Sequence, residues 1–149
     1  MQYLKMDSAL KRSGRFGNLV YVPPPDSIAR AELFKLQLNG KPIKDGDIDY
    51  DKLSQLTNYY SAADIANICT EAAKIPWEEA LTTGKERSIS MQDLITSIAN
   101  KKSTIAEWYN NAKKTINTGG SEDYTYSELA TSIEEFDKSV GSTSTTAYR

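Results

Sequence analysis

Hydrophobic and polar positions follow two different periods along this chain. Residues 19–22, Leu-Val-Tyr-Val, form a short β-prone run that ends at Pro23-Pro24-Pro25. Proline gives no donor to a ladder or a helix, so the run can only be an edge or lone strand. From Asp26 onward apolar residues recur every three or four positions, the period of helices that bury one face. Asp26 is placed to cap a helix that runs to Leu38 and carries Ile28, Ala31, Phe34, Leu36 and Leu38; Asn39-Gly40-Lys41-Pro42 stops it. A turn at Asp45-Gly46-Asp47 precedes a short helix over 48–57, with Leu53 and Leu56 inward.

The strongest helical signal opens at Tyr59-Tyr60-Ser61-Ala62-Ala63-Asp64. Ser61 and Asp64 have capping-box spacing, with Asp in place of the usual Glu. Ile65, Ile68, Cys69 and Ala72 follow as one apolar stripe, and Pro76 predicts a kink or break before the helix goes on to Gly84. Ile89 reads as a short extended position. Ser90 and Asp93 repeat the capping spacing ahead of Met91, Leu94, Ile95 and Ile98. Thr104 and Glu107 start another helix, with Ile105, Trp108, Tyr109 and Ala112 near one face; residues 117–121 read as a linker. Thr125 and Glu128 open a last helix carrying Leu129, Ile133 and Phe136, and from Ser139 the Gly-, Ser- and Thr-rich composition predicts a flexible tail. Trp77, Trp108, Tyr59 and Tyr60 are expected to pack, and Lys101-Lys102 and Lys113-Lys114 to be solvated helix ends.

The sum is mainly α: one small strand, then a bundle of helices with short connections. A lone strand of this length is not stable, so it should belong to a sheet whose other strands lie outside this chain. The unpaired edge predicts self-association or a rearranged N-terminus.

Composition narrows the chemistry. The chain has 149 residues with a net charge of −2 and both signs interspersed, which argues against a nucleic-acid partner. No apolar stretch approaches the ~20 residues that span a bilayer, and no leader is evident, so no membrane partner and a cytoplasmic location are expected. The single Cys69 lies in an apolar helical pattern and reads as a buried, inert thiol. There is no histidine, which removes His-based nucleophile activation and the common zinc sites, and no metal site is expected. No phosphate loop, no GxGxxG and no strand ending in paired acids occurs. Arg12 and Arg15, on either side of Ser13-Gly14, stand out against this background. The guanidinium keeps its charge and grips phosphate through a planar fork of donors.

Two blocks carry a resemblance. Asp7-Ser-Ala-Leu-Lys-Arg-Ser-Gly-Arg-Phe-Gly-Asn-Leu-Val-Tyr-Val-Pro-Pro-Pro-Asp26 resembles the pattern LDxALLRPGRFDxxIYVPxPD of AAA ATPases. Asn58-Tyr-Tyr-Ser-Ala-Ala-Asp-Ile-Ala-Asn-Ile-Cys-Thr-Glu-Ala-Ala73 resembles that family's GYSGADIxxLCxEAA. Lys102 to Tyr109 is similar to the closing helix of archaeal members related to the valosin-containing-protein unfoldases. Ser13, Lys11 and Gly17 depart from the usual Pro, apolar residue and Asp, and Ala62 replaces a Gly beside the adenine edge.

The resemblance implies the end of an α/β nucleotide-binding subdomain over 1–25, a helical lid over 26–118, a helical extension over 119–138 and a tail over 139–149. It implies a ring, usually a hexamer, that hydrolyses ATP with Mg between subunits and remodels or unfolds protein substrates. Arg12 and Arg15 would be arginine fingers reaching a neighbour's γ-phosphoryl group. Ser61, Ala62, Ala63 and Asp64 would lie on the adenine and ribose side. Ala147-Tyr148-Arg149 fits loosely the terminus by which proteasome-activating ATPases dock between proteasome α subunits. The family's sensor Asn would stand at the position of Met1, so the chain is expected to be a fragment that cannot hydrolyse ATP alone. A stand-alone helical interaction module without ATPase activity is the alternative.

Overall fold

The computed structural model describes residues 22–44, 46–118 and 127–143. Among them are six helices: α1 (Ser27–Leu38), α2 (Tyr50–Leu56), α3 (Ala62–Thr83), α4 (Met91–Ala99), α5 (Thr104–Thr118) and α6 (Ser127–Thr143). The expected strand lies outside the described residues except for Val22, which is exposed and in no regular element.

The chain divides into two compact units. One is Pro24–Glu107. In it α1 packs on α2 and α3, and α3 on α4. Phe34, Leu38, Leu53, Ile65, Ile68, Cys69, Ala72, Ile89 and Leu94 form its core. The stripe read from the sequence of α3 is the one buried. Each helix start is fixed by its own cap: the Asp26 carboxylate accepts from the Ala29 N–H at 2.7 Å, and Asp49 accepts from Lys52 N–H at 2.9 Å. Ile43 and Ile89 make a parallel bridge, with Ile89 N–H donating to the Pro42 carbonyl at 2.7 Å, and so join the loops after α1 and α3.

In the other unit Tyr109 meets Phe136 edge-on, with centroids 5.4 Å apart. Leu129 and Ile133 are buried beside Phe136 on the inward face of α6, and Lys113 pairs with Asp137.

Several expectations are corrected. Leu56 is 44% exposed, because α2 ends there and Thr57 takes the inward place, its hydroxyl bonded to the Leu53 carbonyl at 2.8 Å. Ile28 and Leu36 also face outward. Of the kink or break expected at Pro76, the break does not occur: α3 runs on through this residue, which is buried on its core side. The ring removes only the bond to the Ala72 carbonyl. Trp77 is 61% exposed rather than packed. At about 100° per residue it stands one step off the buried stripe, on the same side as exposed Leu81. Helix α5 continues through Asn117 and Thr118, where a linker was expected; α6 begins at Ser127 and continues past Ser139 to Thr143. Tyr59, Tyr60 and Trp108 are half-buried.

Candidate functional site

The start of α3 is built as the spacing predicts, and then tied to a second helix that the spacing does not reveal. Ser61 Oγ accepts the Asp64 N–H at 3.1 Å, while Asp64 Oδ2 accepts the Ser61 N–H at 3.1 Å and the Ser61 hydroxyl at 2.9 Å. The Ser61 carbonyl takes the Ile65 N–H at 3.0 Å. Ser61 therefore engages the N–H groups of Asp64 and Ile65 and leaves those of Ala62 and Ala63, the first two of the helix. Both alanines are exposed, and Ile65 beneath them is fully buried. The turn thus presents uncovered backbone above a buried core side chain.

Asp64 itself is 2% exposed and points away from solvent. The same Oδ2 accepts the Thr104 N–H at 3.2 Å and the Thr104 hydroxyl at 2.8 Å. Burial works to raise the Asp64 pKa, but the Thr104 and Ser61 hydrogen bonds outweigh it and hold the carboxyl below its usual range. Ser103, not Thr104, is the residue that caps α5, accepting the Ala106 N–H at 3.2 Å. The Ser103 hydroxyl also donates to the Tyr59 carbonyl, and the Tyr60 hydroxyl donates to the Lys101 carbonyl at 2.6 Å. Burial, and then the Asp64 charge, push the Tyr60 phenol up.

Of the other expected site residues, Arg12, Arg15, Ala147, Tyr148 and Arg149 lie outside the described residues. No group of three or more His, Cys, Asp or Glu side chains able to hold a metal occurs among the described residues. Cys69 is free and buried, and burial pushes its thiol up to about 11, as an inert thiol requires. Among the described residues no helix is long and apolar enough to cross a membrane.

Two arginines that the sequence did not single out organise the bundle. Arg30 is 5% exposed; its Nε and Nη2 donate to the Ser54 carbonyl at 3.1 and 2.9 Å, and its Nη1 donates to the Pro25 carbonyl at 2.8 Å. It places a cation at the C-terminal end of α2, where free carbonyls favour one. Arg87 bridges Glu79 on α3 and Asp93 on α4, with Nε to Glu79 Oε2 at 2.5 Å and Nη1 to Asp93 Oδ2 at 2.6 Å. No sequence pattern announced either: Arg30 lies within α1 and Arg87 in the loop between α3 and α4.

The AAA+ lid domain family matches residues 47–96. That span holds α2, α3 and most of α4, including the Ser61–Asp64 turn. Residues 47–96 are an AAA+ lid domain. The chain is 43% identical, over 82 residues, to part of the Cell division cycle protein 48 homolog of Archaeoglobus fulgidus, covering 55% of this chain and 11% of that protein. It is 41% identical over 113 residues to the Proteasome-activating nucleotidase of Sulfurisphaera tokodaii, covering 76% of this chain and 26% of that protein. The chain thus spans about a quarter or less of the curated relatives it matches. The crystal structure of the FIGL-1 AAA domain in complex with ADP shares the fold, with a TM-score of 0.62 and 22% identity over 78% of this chain and 41% of that one. A mainly helical lid was the fold expected from the sequence, and it is the fold observed.

Proposed function

We propose that this lid belongs to a ring-forming AAA ATPase that uses ATP hydrolysis to remodel or unfold proteins. The observation that carries the reading is the opening turn of α3, where exposed Ala62 and Ala63 offer uncovered backbone beside a tightly tied helix start. In this reading Ser61, Ala62 and Ala63 pack against adenine and ribose, and Asp64 holds the turn from behind. The small side chains and the two unengaged N–H groups fit such a ligand. Arg12 and Arg15 reach the γ-phosphoryl group of a neighbouring subunit's ATP and stabilise the charge that develops there.

The exposed pair Trp77 and Leu81, beside a groove lined by Pro42, Pro76 and Arg87, gives the lid an apolar face for the next subunit of the ring. The likeness to proteasome-activating nucleotidases supports one further assignment, that Ala147-Tyr148-Arg149 docks on a proteasome α ring.

The test is made on the complete ATPase. Arg12→Ala or Arg15→Ala should lower turnover about a thousandfold with ATP still bound. Ala63→Trp, at an exposed position that tolerates bulk, should weaken ADP binding without unfolding the lid. Normal turnover in the arginine variants rejects the finger roles, and normal ADP affinity in Ala63→Trp rejects the nucleotide-facing turn.

A further inference from the structure

One oxygen, Asp64 Oδ2, serves the first turns of two helices. It accepts two bonds from Ser61 at the start of α3 and two from Thr104 at the start of α5. The Ser103–Tyr59 and Tyr60–Lys101 bonds run alongside it and fasten the same two stretches of chain. Within this fastened turn Tyr59 has φ +61°, a left-handed conformation that an aromatic residue adopts only when its surroundings hold it there. Its carbonyl is one of the fastened groups.

The Thr104 hydroxyl is not needed to start its own helix, because Ser103 already caps α5. It is directed instead at the carboxylate that completes the capping box of α3. Among the described residues, the hydrogen bonds that hold the Ser61–Asp64 turn from outside α3 all come from the first turn of α5 and the residues just before it.

We infer that Thr104 is a positioning residue for the nucleotide-facing turn: through Asp64 it sets the Tyr59–Ala63 backbone and makes the starts of α3 and α5 move as one piece. The inference rests on the reading of that turn as the adenosine side of the site. Thr104 touches no nucleotide in this scheme. Its hydroxyl and N–H decide where the Ala62 and Ala63 backbone stands when ATP or ADP arrives, and they carry the occupancy of the turn into α5.

The experiment compares Thr104→Val and Thr104→Ser in the complete ATPase. Amide hydrogen exchange is followed over residues 59–65 and 104–108 with and without ADP, and affinity is measured with a fluorescent ADP analogue. Val should speed exchange over 59–65 about tenfold, the effect of losing one cooperative tie. It should also weaken ADP several-fold while amides of Ile68 and Leu94 in the core keep their rates; Ser, which keeps the hydroxyl, should restore both. Unchanged exchange in Thr104→Val, or failure of Ser to restore it, overturns the inference. Equal ADP affinity and equal ADP protection in Val and unaltered protein also overturn it, with the nucleotide-facing reading left standing. If ADP fails to protect residues 59–65 in the unaltered protein, that reading falls and the inference with it.

Discussion

The starts of α3 and α4 use the same device and put it to different ends. Each is a Ser-x-x-Asp box in which the serine hydroxyl accepts the aspartate N–H and the carboxylate returns to the serine. At α4 the spare capacity of Asp93 goes to a cation: Arg87 reaches both carboxylate oxygens, at 2.6 and 3.0 Å, and also holds Glu79. At α3 the spare capacity of Asp64 goes to neutral donors, the N–H and hydroxyl of Thr104. One box is staked by charge at a half-exposed loop, the other by hydrogen bonds between two helix ends. A charged stake can be screened and moved by salt. Uncharged donors held on a buried carboxylate are little screened by salt, and their tie depends on geometry and on the carboxylate staying ionised.

The largest expected effect separates the two aspartates. Asp64→Ala removes the box of α3 together with both ties to Thr104, and should lower stability by about 2 kcal/mol. Asp93→Ala removes a cap whose arginine partner stays solvated and keeps Glu79, and should cost about 1 kcal/mol. Urea midpoints of the two variants decide the matter. Equal losses would mean that the ties to α5 add nothing.

Acid is the next probe. Burial raises each carboxyl, but hydrogen bonds from Thr104 and Ser61 at Asp64, and from Arg87 and Ser90 at Asp93, leave both below the usual carboxylate range. The unfolded chain therefore binds protons that the folded chain does not, and stability rises with pH in that window. This contribution is fully present above the unfolded value of about 4 and is lost as pH falls through the lower folded values. Urea midpoints taken across that range should show an acid limb that Asp64→Asn flattens. A limb unchanged by that substitution would place the acid sensitivity elsewhere.

The smallest effect is salt. High ionic strength should loosen the Arg87 cluster and speed amide exchange in residues 84–90, while exchange in residues 59–65 stays constant. Arg87→Gln should abolish the salt effect at 84–90; equal salt dependence at both sites would erase the distinction between the stakes.

Local devices were legible in the sequence because their causes are local. Asp26, Ser61 and Ser90 cap as their spacing says, and Ile65, Ile68, Cys69 and Ala72 bury the face that their period defines. What escaped was the distant partner of each local group. Nothing near Thr104 in the chain announces Asp64, and its hydroxyl next to Glu107 spacing looked like a cap until Ser103 took that place. Arg30 finds its acceptors on a backbone, which no side-chain pattern records. Leu56 and Trp77 fit an apolar count but sit at an end and at an angle where the stripe has passed. For the candidate site, the Ser61–Ala63 face was visible as a motif, while the role of Asp64 as its rear support required the fold.

The grip of Arg30 on the Pro25 carbonyl also sets where the lid may be cut. A fragment that starts at the first residue of α1 would keep every helix of the bundle and its secondary structure would look whole. It would nonetheless leave a buried guanidinium donor facing nothing, because the acceptor lies two residues ahead of Ser27. The working edge of this module is thus a carbonyl in the proline run, and grafts that respect it carry their own counterpart for Arg30 into a new host.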